Sequence, residues 1–200
     1  MKYVFVKSST DWKMCPEPDK PEIALIGRSN VGKSSLINAL LKSQGAAKTS
    51  STPGKTQVIN HFLIENSWYL VDLPGYGYAR VSRSERNKWE KMVRDYLLKR
   101  SNLMMLFLLV DSRVPPQKSD LEFASFMGKN GIPLCIVFTK ADKQSVLKSK
   151  AAIENFSGEM LKEWESLPLM ILSSATTGLG REQILDVMIP ALEAFNPDAN

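Results

Sequence analysis

The segment Gly27-Arg28-Ser29-Asn30-Val31-Gly32-Lys33-Ser34 constrains the fold more than any other stretch of this 200-residue chain. It follows the apolar run Ile23-Ala24-Leu25-Ile26 and precedes Leu36-Ile37-Asn38-Ala39-Leu40-Leu41, which has helical character. Strand, glycine-bounded loop and helix is the context in which Gly-x-x-x-x-Gly-Lys-Ser becomes a phosphate site. Loop N–H groups and the positive end of the helix can surround a doubly charged β-phosphate. Lys33 is expected to reach the β- and γ-phosphates and the Ser34 hydroxyl to ligate Mg²⁺. Ser35 closes the candidate phosphate-binding set, which runs unbroken from Gly27.

The remaining chain alternates strand and helix signals. After a Pro-rich lead-in over 1–21, strands are expected at 22–27, Val58 to Glu65, Trp68 to Val71, Leu103 to Val110, Ile132 to Phe138 and Leu169 to Leu172. The closeness of the second and third implies a hairpin turning at Asn66-Ser67, hence one antiparallel strand at the edge of a parallel sheet. Helices are expected over 33–43, from Ser82 or Ser84 to about Arg100, over Lys118 to Lys129, across 143–165 with a break near Ser157-Gly158, and within Gly180 to Phe195. Residues 44–57 are small, polar and aperiodic, a connection of functional length. The pattern reads as one domain, a three-layer α/β sandwich around a mainly parallel sheet, with its ligand at the carboxyl ends of the strands.

Every polar motif falls just after an expected strand. In Asp72-Leu73-Pro74-Gly75, Asp72 ends a strand and suits Mg²⁺ binding through a water, while the Gly75 N–H can sense a γ-phosphate. Thr139-Lys140-Ala141-Asp142 selects the base. Guanine presents N1–H and N2–H₂ side by side, a donor pair that the Asp142 carboxylate can accept and that adenine lacks. The Lys140 stem would lie along the purine and help hold the loop. Ser173, Ser174 or Ala175 would supply a backbone N–H to guanine O6, with the register open by one residue.

Composition narrows the setting. No apolar run exceeds eight residues, against the ~20 needed to span a bilayer, and no secretory signal pattern opens the chain. Two cysteines, one within a buried-strand pattern, fit a reducing cytoplasm rather than a disulfide framework, and the single histidine excludes a multi-histidine metal centre. The net charge of +5 is matched by the stretch Arg80 to Arg100 alone, where eight basic residues face three acidic ones. That stretch is either an RNA-phosphate docking face or a solvated helix surface over Trp89, Met92, Val93 and Tyr96.

With these motifs in hand, the chain resembles P-loop GTPases of the TrmE-Era-EngA-YihA-septin group, and within it the YihA/YsxC (EngB) family. The resemblance rests on Gly27–Ser34, Ser51-Thr-Pro-Gly-Lys-Thr-Gln57, Asp72-Leu-Pro-Gly-Tyr-Gly77, Thr139–Asp142 and Ser173-Ser174, and spans about residues 3 to 194. It implies a Ras-like G domain whose six strands take the order 2-3-1-4-5-6 with the second antiparallel. Switch I is then 44–57, with Gly54 and Lys55 beside a Thr56 that closes on Mg²⁺ with GTP bound, and switch II is 72–82. It also implies slow GTP hydrolysis and a role in assembling the bacterial large ribosomal subunit, whose rRNA and proteins are the expected partners. DNA and membranes are not expected partners, and a monomer is the default. The family's link to cell division and septum formation reads as downstream of subunit assembly.

The candidate catalytic set is Lys33, Thr56, Gly75 and Asn30, and the candidate metal ligands are Ser34, Thr56 and Asp72. Ras-like enzymes orient the attacking water with a glutamine after the Asp-x-x-Gly motif. Tyr76 stands there instead and lacks that amide. Asn30 has two readings: a ligand of K⁺ beside the phosphates, as in relatives with asparagine at this position, or a hydrogen bond within the loop. Two other functions remain open. A small-molecule kinase would need a lid and an acceptor pocket, and a GTP-regulated scaffold would hydrolyse only incidentally.

Overall fold

Alternate residues of the strand Glu22–Gly27 (β2) enter two different apolar layers, Ile23 and Leu25 one, Ala24 and Ile26 the other. A strand buried on both faces has to lie inside a sheet covered on both sides. In a computed structural model, which describes residues 1–43, 45–47, 58–77 and 82–197, β2 lies between Trp68–Asp72 (β4) and Leu103–Asp111 (β5), parallel to both. Leu134–Thr139 (β6) and Leu169–Leu172 (β7) continue the parallel sheet beyond β5. Ile59–Ile64 (β3) runs antiparallel to β4.

Among the described residues the sheet has seven strands, not six. Tyr3–Ser9 (β1), part of the lead-in, pairs antiparallel with β3 and takes the edge, giving β1-β3-β4-β2-β5-β6-β7. The antiparallel strand β3 is therefore second from the edge. The six expected strands follow one another in the expected sequence behind this added one. The connection between β3 and β4 contains the expected Asn66-Ser67 and begins one residue earlier, at Glu65. Glu65 and Asn66, with φ of 47° and 57°, are the central pair of its turn, and the Ser67 N–H donates to the Ile64 carbonyl at 2.9 Å. Two positive φ values are the turn geometry whose twist matches the flanking strands, and with Ile64 paired to Trp68 the connection is the three residues Glu65 to Ser67. Val4, Phe5 and Val6 are exposed on the new edge, which a bulge between Phe5 and Lys7 interrupts.

Lys33–Leu41 (α1) and Arg181–Glu193 (α5) cover one face through Leu36, Ile37, Leu40, Ile184 and Met188. Arg83–Lys99 (α2), Lys118–Lys129 (α3) and Val146–Met160 (α4) cover the other through Val93, Tyr96, Leu97, Ala124, Met127, Phe156 and Met160. The expected break at Ser157-Gly158 does not occur. Phe156 and Met160 anchor that turn in the core, while Gly158 faces open space. No helix among the described residues is long and apolar enough to cross a membrane. The parallel register pairs Leu25 with Asp72, Gly27 with Leu109, Asp111 with Thr139 and Phe138 with Leu172, so the loops that follow β2, β4, β5, β6 and β7 leave the same edge. That edge carries the site.

Candidate functional site

The loop after β2 is held in place from both sides. Its Ser29 N–H donates to the Tyr76 carbonyl at 2.9 Å, and the Tyr76 N–H donates to the Gly27 carbonyl at 3.2 Å. From the far side, Thr139 Oγ1 donates to the Val31 carbonyl and Lys140 Nζ to the Asn30 carbonyl, both at 2.6 Å. Gly32 caps α1 at a φ of 105°, open to glycine and strained for other residues. Among the described residues the N–H groups of Asn30, Gly32, Lys33, Ser34 and Ser35 have no acceptor. Five donors at a helix N-terminus beside a lysine fit an anion with several oxygens.

Lys33 forms an ion pair with Asp72, both side chains being about one-seventh exposed, and Asn60 Nδ2 lies 3.5 Å from the other Asp72 oxygen. Ser34 is half-buried in the first turn of α1. Ser34 and Asp72 together offer one hydroxyl and one carboxylate, a hard-oxygen set that fits Mg²⁺ when phosphate oxygens and waters complete the shell. Leu73 and Pro74 lead to Gly75, packed so closely on the loop that a Cβ there would meet the Gly27 carbonyl oxygen at 2.9 Å. The expected switch I residues Gly54, Lys55 and Thr56 lie outside the described residues, as does Arg80. The side chain of Asn30 is exposed and makes no hydrogen bond among the described residues, so the intra-loop reading of it gains no support.

At the other end of the edge, the Ser174 hydroxyl donates to Asp142 at 2.7 Å and accepts from the Thr176 and Thr177 N–H groups. The Ser174 bond, helped by Lys143, holds the Asp142 carboxyl below its ordinary range. The Ser173 N–H is taken by Phe138 and the Ser174 N–H by Leu179. Ala175 is left as the residue of the three whose N–H has no acceptor among the described residues. Ala141 connects the two segments through its N–H to the Ser173 carbonyl at 3.1 Å.

Two residues were missed in the sequence. Asp111, at the end of β5, accepts from Lys140 at 2.9 Å and from Arg113 at 2.9 and 2.8 Å. Burial pushes its pKa up, but these cations pull it well below the usual carboxylate range. It steadies the lysine that joins the two loops, and its signal was available: like Asp72, it is a carboxylate closing a strand at the loop edge. Asp120, buried on α3, accepts from the Tyr76 hydroxyl at 2.8 Å. Burial raises its pKa more than that bond lowers it.

The basic stretch is not a uniform stripe. Arg94 lies over the Phe126 ring at 4.3 Å, Lys91 and Lys99 share Asp95, and Arg100 is buried against Glu22. Arg83, Arg86 and Lys88 remain, exposed and without an ion pair among the described residues. They occupy the first turns of α2, which open with a capping box between Ser82 and Glu85.

A family model described as 50S ribosome-binding GTPase matches residues 22–140. A probable GTP-binding protein EngB of Bacteroides thetaiotaomicron is 55% identical over 91% of this chain and 90% of that protein. A protein of the same description from Porphyromonas gingivalis is 52% identical over 92% of each. Among solved structures, a probable GTP-binding protein engB superimposes with a TM-score of 0.65 at 22% identity, over 87% of this chain and all of that one. An Aquifex aeolicus Era variant bound to GDP and AlF₄⁻ gives 0.67 at 20% identity, over 90% of this chain and 60% of that one. Both structural likenesses speak for the three-layer P-loop GTPase fold.

Proposed function

The chain belongs to the EngB family of 50S ribosome-binding GTPases, and from that membership we propose that it binds a guanine nucleotide, hydrolyses GTP slowly and uses nucleotide state to control its association with the assembling large ribosomal subunit. The observation that carries this reading is the pairing of two loops by one side chain. Lys140 bridges the Asn30 carbonyl of the phosphate loop to Asp111, and two residues on stands Asp142, oriented by the Ser174 hydroxyl. One ligand with phosphates at Lys33 and a purine at Asp142 satisfies both ends.

The free N–H groups of Asn30 and Gly32 to Ser35 hold the β-phosphate, and Lys33 leaves Asp72 to neutralise the β- and γ-oxygens. Ser34 and Asp72, with Thr56 in the triphosphate state, hold Mg²⁺, which supplies positive charge against the transferring phosphoryl group. Gly75 contributes its N–H, and Ala175 offers its own to guanine O6. Tyr76 turns its side chain into the apolar layer of α2 and α3, so it does not orient the attacking water, and turnover by the isolated protein is slow. The exposed Asn30 side chain serves as a K⁺ ligand beside the phosphates, supplying part of the missing charge stabilisation. Arg83, Arg86 and Lys88 meet rRNA phosphates, and septation defects follow from failed subunit assembly.

The test is competition against a fluorescent GDP analogue followed by GTPase assays in K⁺ and Na⁺ salts at fixed ionic strength. GTP and GDP should displace the probe at least about 100-fold better than ATP and ADP, as loss of two hydrogen bonds to a carboxylate implies. Equal displacement by adenine nucleotides defeats the proposal, and equal rates in the two salts remove the K⁺ role.

A further inference from the structure

Tyr76 joins three parts of the molecule. Its backbone is tied to the phosphate loop by two hydrogen bonds, to Gly27 at 3.2 Å and from Ser29 at 2.9 Å. Its ring stacks on Phe123 of α3 at 5.3 Å and tilts against Trp89 of α2 at 6.1 Å. The indole N–H of Trp89 in turn donates to the Pro74 carbonyl at 3.2 Å. The Tyr76 hydroxyl donates to Asp120, whose residue is 1% exposed. Ser119 and Arg28 are the other groups that act on this carboxylate.

Packing alone does not call for this polar pair. A phenylalanine at 76 and an aliphatic residue at 120 would fill the same layer without taking a carboxyl group out of water, a desolvation that a buried pair seldom recovers in full. What the pair adds is direction. A hydrogen bond fixes the position of Tyr76 along α3, which stacking on Phe123 would leave free to slide. Gly75, one residue earlier in the chain, lies so close to the phosphate loop that a Cβ there would meet the Gly27 carbonyl oxygen at 2.9 Å. A shift of Tyr76 is therefore a shift of the Gly75 N–H.

We propose that the Tyr76–Asp120 hydrogen bond is a clasp that positions the Gly75 amide for the third phosphate, so that preference for GTP over GDP is set in the apolar layer between α2 and α3. Tyr76 and Asp120 are positioning residues. The diphosphate is held by the N–H groups of Asn30 and Gly32 to Ser35, none of which bonds to Tyr76, and does not depend on the clasp. The inference rests on the nucleotide reading above and concerns only how that site distinguishes its two ligands.

The experiment measures dissociation constants of the full chain for GDP and for a non-hydrolysable GTP analogue. Tyr76→Phe should weaken the analogue about 5- to 20-fold, the loss of one hydrogen bond to a charged group, with GDP affinity within about 2-fold. Asp120→Asn keeps an acceptor oxygen for the phenol and should stay within about 3-fold of wild type for both ligands. The double variant Tyr76→Phe/Asp120→Leu removes both polar partners, a change that leaves folding nearly neutral, and should lose discrimination as the single variant does. Wild-type discrimination in the folded double variant overturns the clasp, as does an equal weakening of GDP and analogue by Tyr76→Phe. A wild-type protein that binds neither nucleotide defeats the function reading instead.

Discussion

Asp142 owes its orientation to a neighbour. The Ser174 hydroxyl spends its one proton on Asp142 and its lone pairs on Thr176 and Thr177, so loop and carboxylate are oriented together. Asp142→Ala should weaken GDP binding at least about 100-fold and abolish the preference over ADP, and Ser174→Ala should weaken it about 3- to 10-fold while keeping that preference. Isothermal titration checks the ranking. A depressed carboxyl pKa means the acceptor form survives as pH falls through the ordinary carboxylate range. The preference for GDP over ADP, whose phosphates titrate alike, should therefore stay flat from about pH 7 to pH 5, and Ser174→Ala should move the onset of its acid loss to higher pH. Thr139–Asp142 was legible in the sequence because the residue types alone match guanine. Asp120 was not, because its donor lies 44 residues away and nothing local marks a buried helix carboxylate as paired.

At the scale of elements, α2 is fixed at its far end by a residue that the strand pattern treated as merely the first of β2. Glu22 is fully buried and accepts from Tyr96 at 2.6 Å and from Arg100, with His61 Nε2 at 3.2 Å. Burial pushes its pKa up, but His61 and Arg100 pull it down further, to about 2. The carboxylate therefore stabilises the fold fully above its ordinary value near 4.5, and that contribution is lost as pH falls towards about 2. Glu22→Ala should cost about 3–5 kcal/mol, because Arg100 is left buried without its partner. Thermal unfolding of Glu22→Gln should show a deficit against wild type near neutral pH that narrows on acidification through this window. The helix was legible from Ser82 or Ser84 as its cap, and the capping box with Glu85 selects Ser82. Its anchor was not, and neither was β1, whose partner β3 lies some fifty residues on and whose alternation is broken by the bulge after Phe5. Long-range pairing leaves little local trace when one strand of the pair is irregular.

Over the whole molecule, the net charge of +5 is less informative than where its unpaired part lies. Helical spacing disposes of Lys91 and Lys99 through Asp95, an i,i+4 pattern present in the sequence, whereas the burial of Arg100 and the stacking of Arg94 depend on β2 and α3. Within the basic stretch, what remains among the described residues is Arg83, Arg86 and Lys88, in a segment from Ser82 to Lys88 that is exposed at every position. Trp89, the next residue, is the one that touches Pro74 and Tyr76, so the cationic turns begin where the nucleotide-bearing loop ends. A polyanion docked there would feel the position of that loop. Reversing Arg83, Arg86 and Lys88 to glutamate should reduce co-sedimentation with the large-subunit precursor at least about 10-fold, and lower the salt dependence by roughly 0.7–0.9 log unit for each phosphate that is no longer neutralised. GDP affinity should not change, since none of the three reaches Lys33 or Asp142. Reversing Lys91 and Lys99 to glutamate, with Arg83 and Arg86 alone as the equally charged comparison, is the control, since both lysines are already committed to Asp95. Equal losses from both sets would mean that total charge, not this end of α2, attracts the particle, and no loss from the first would move the interface elsewhere.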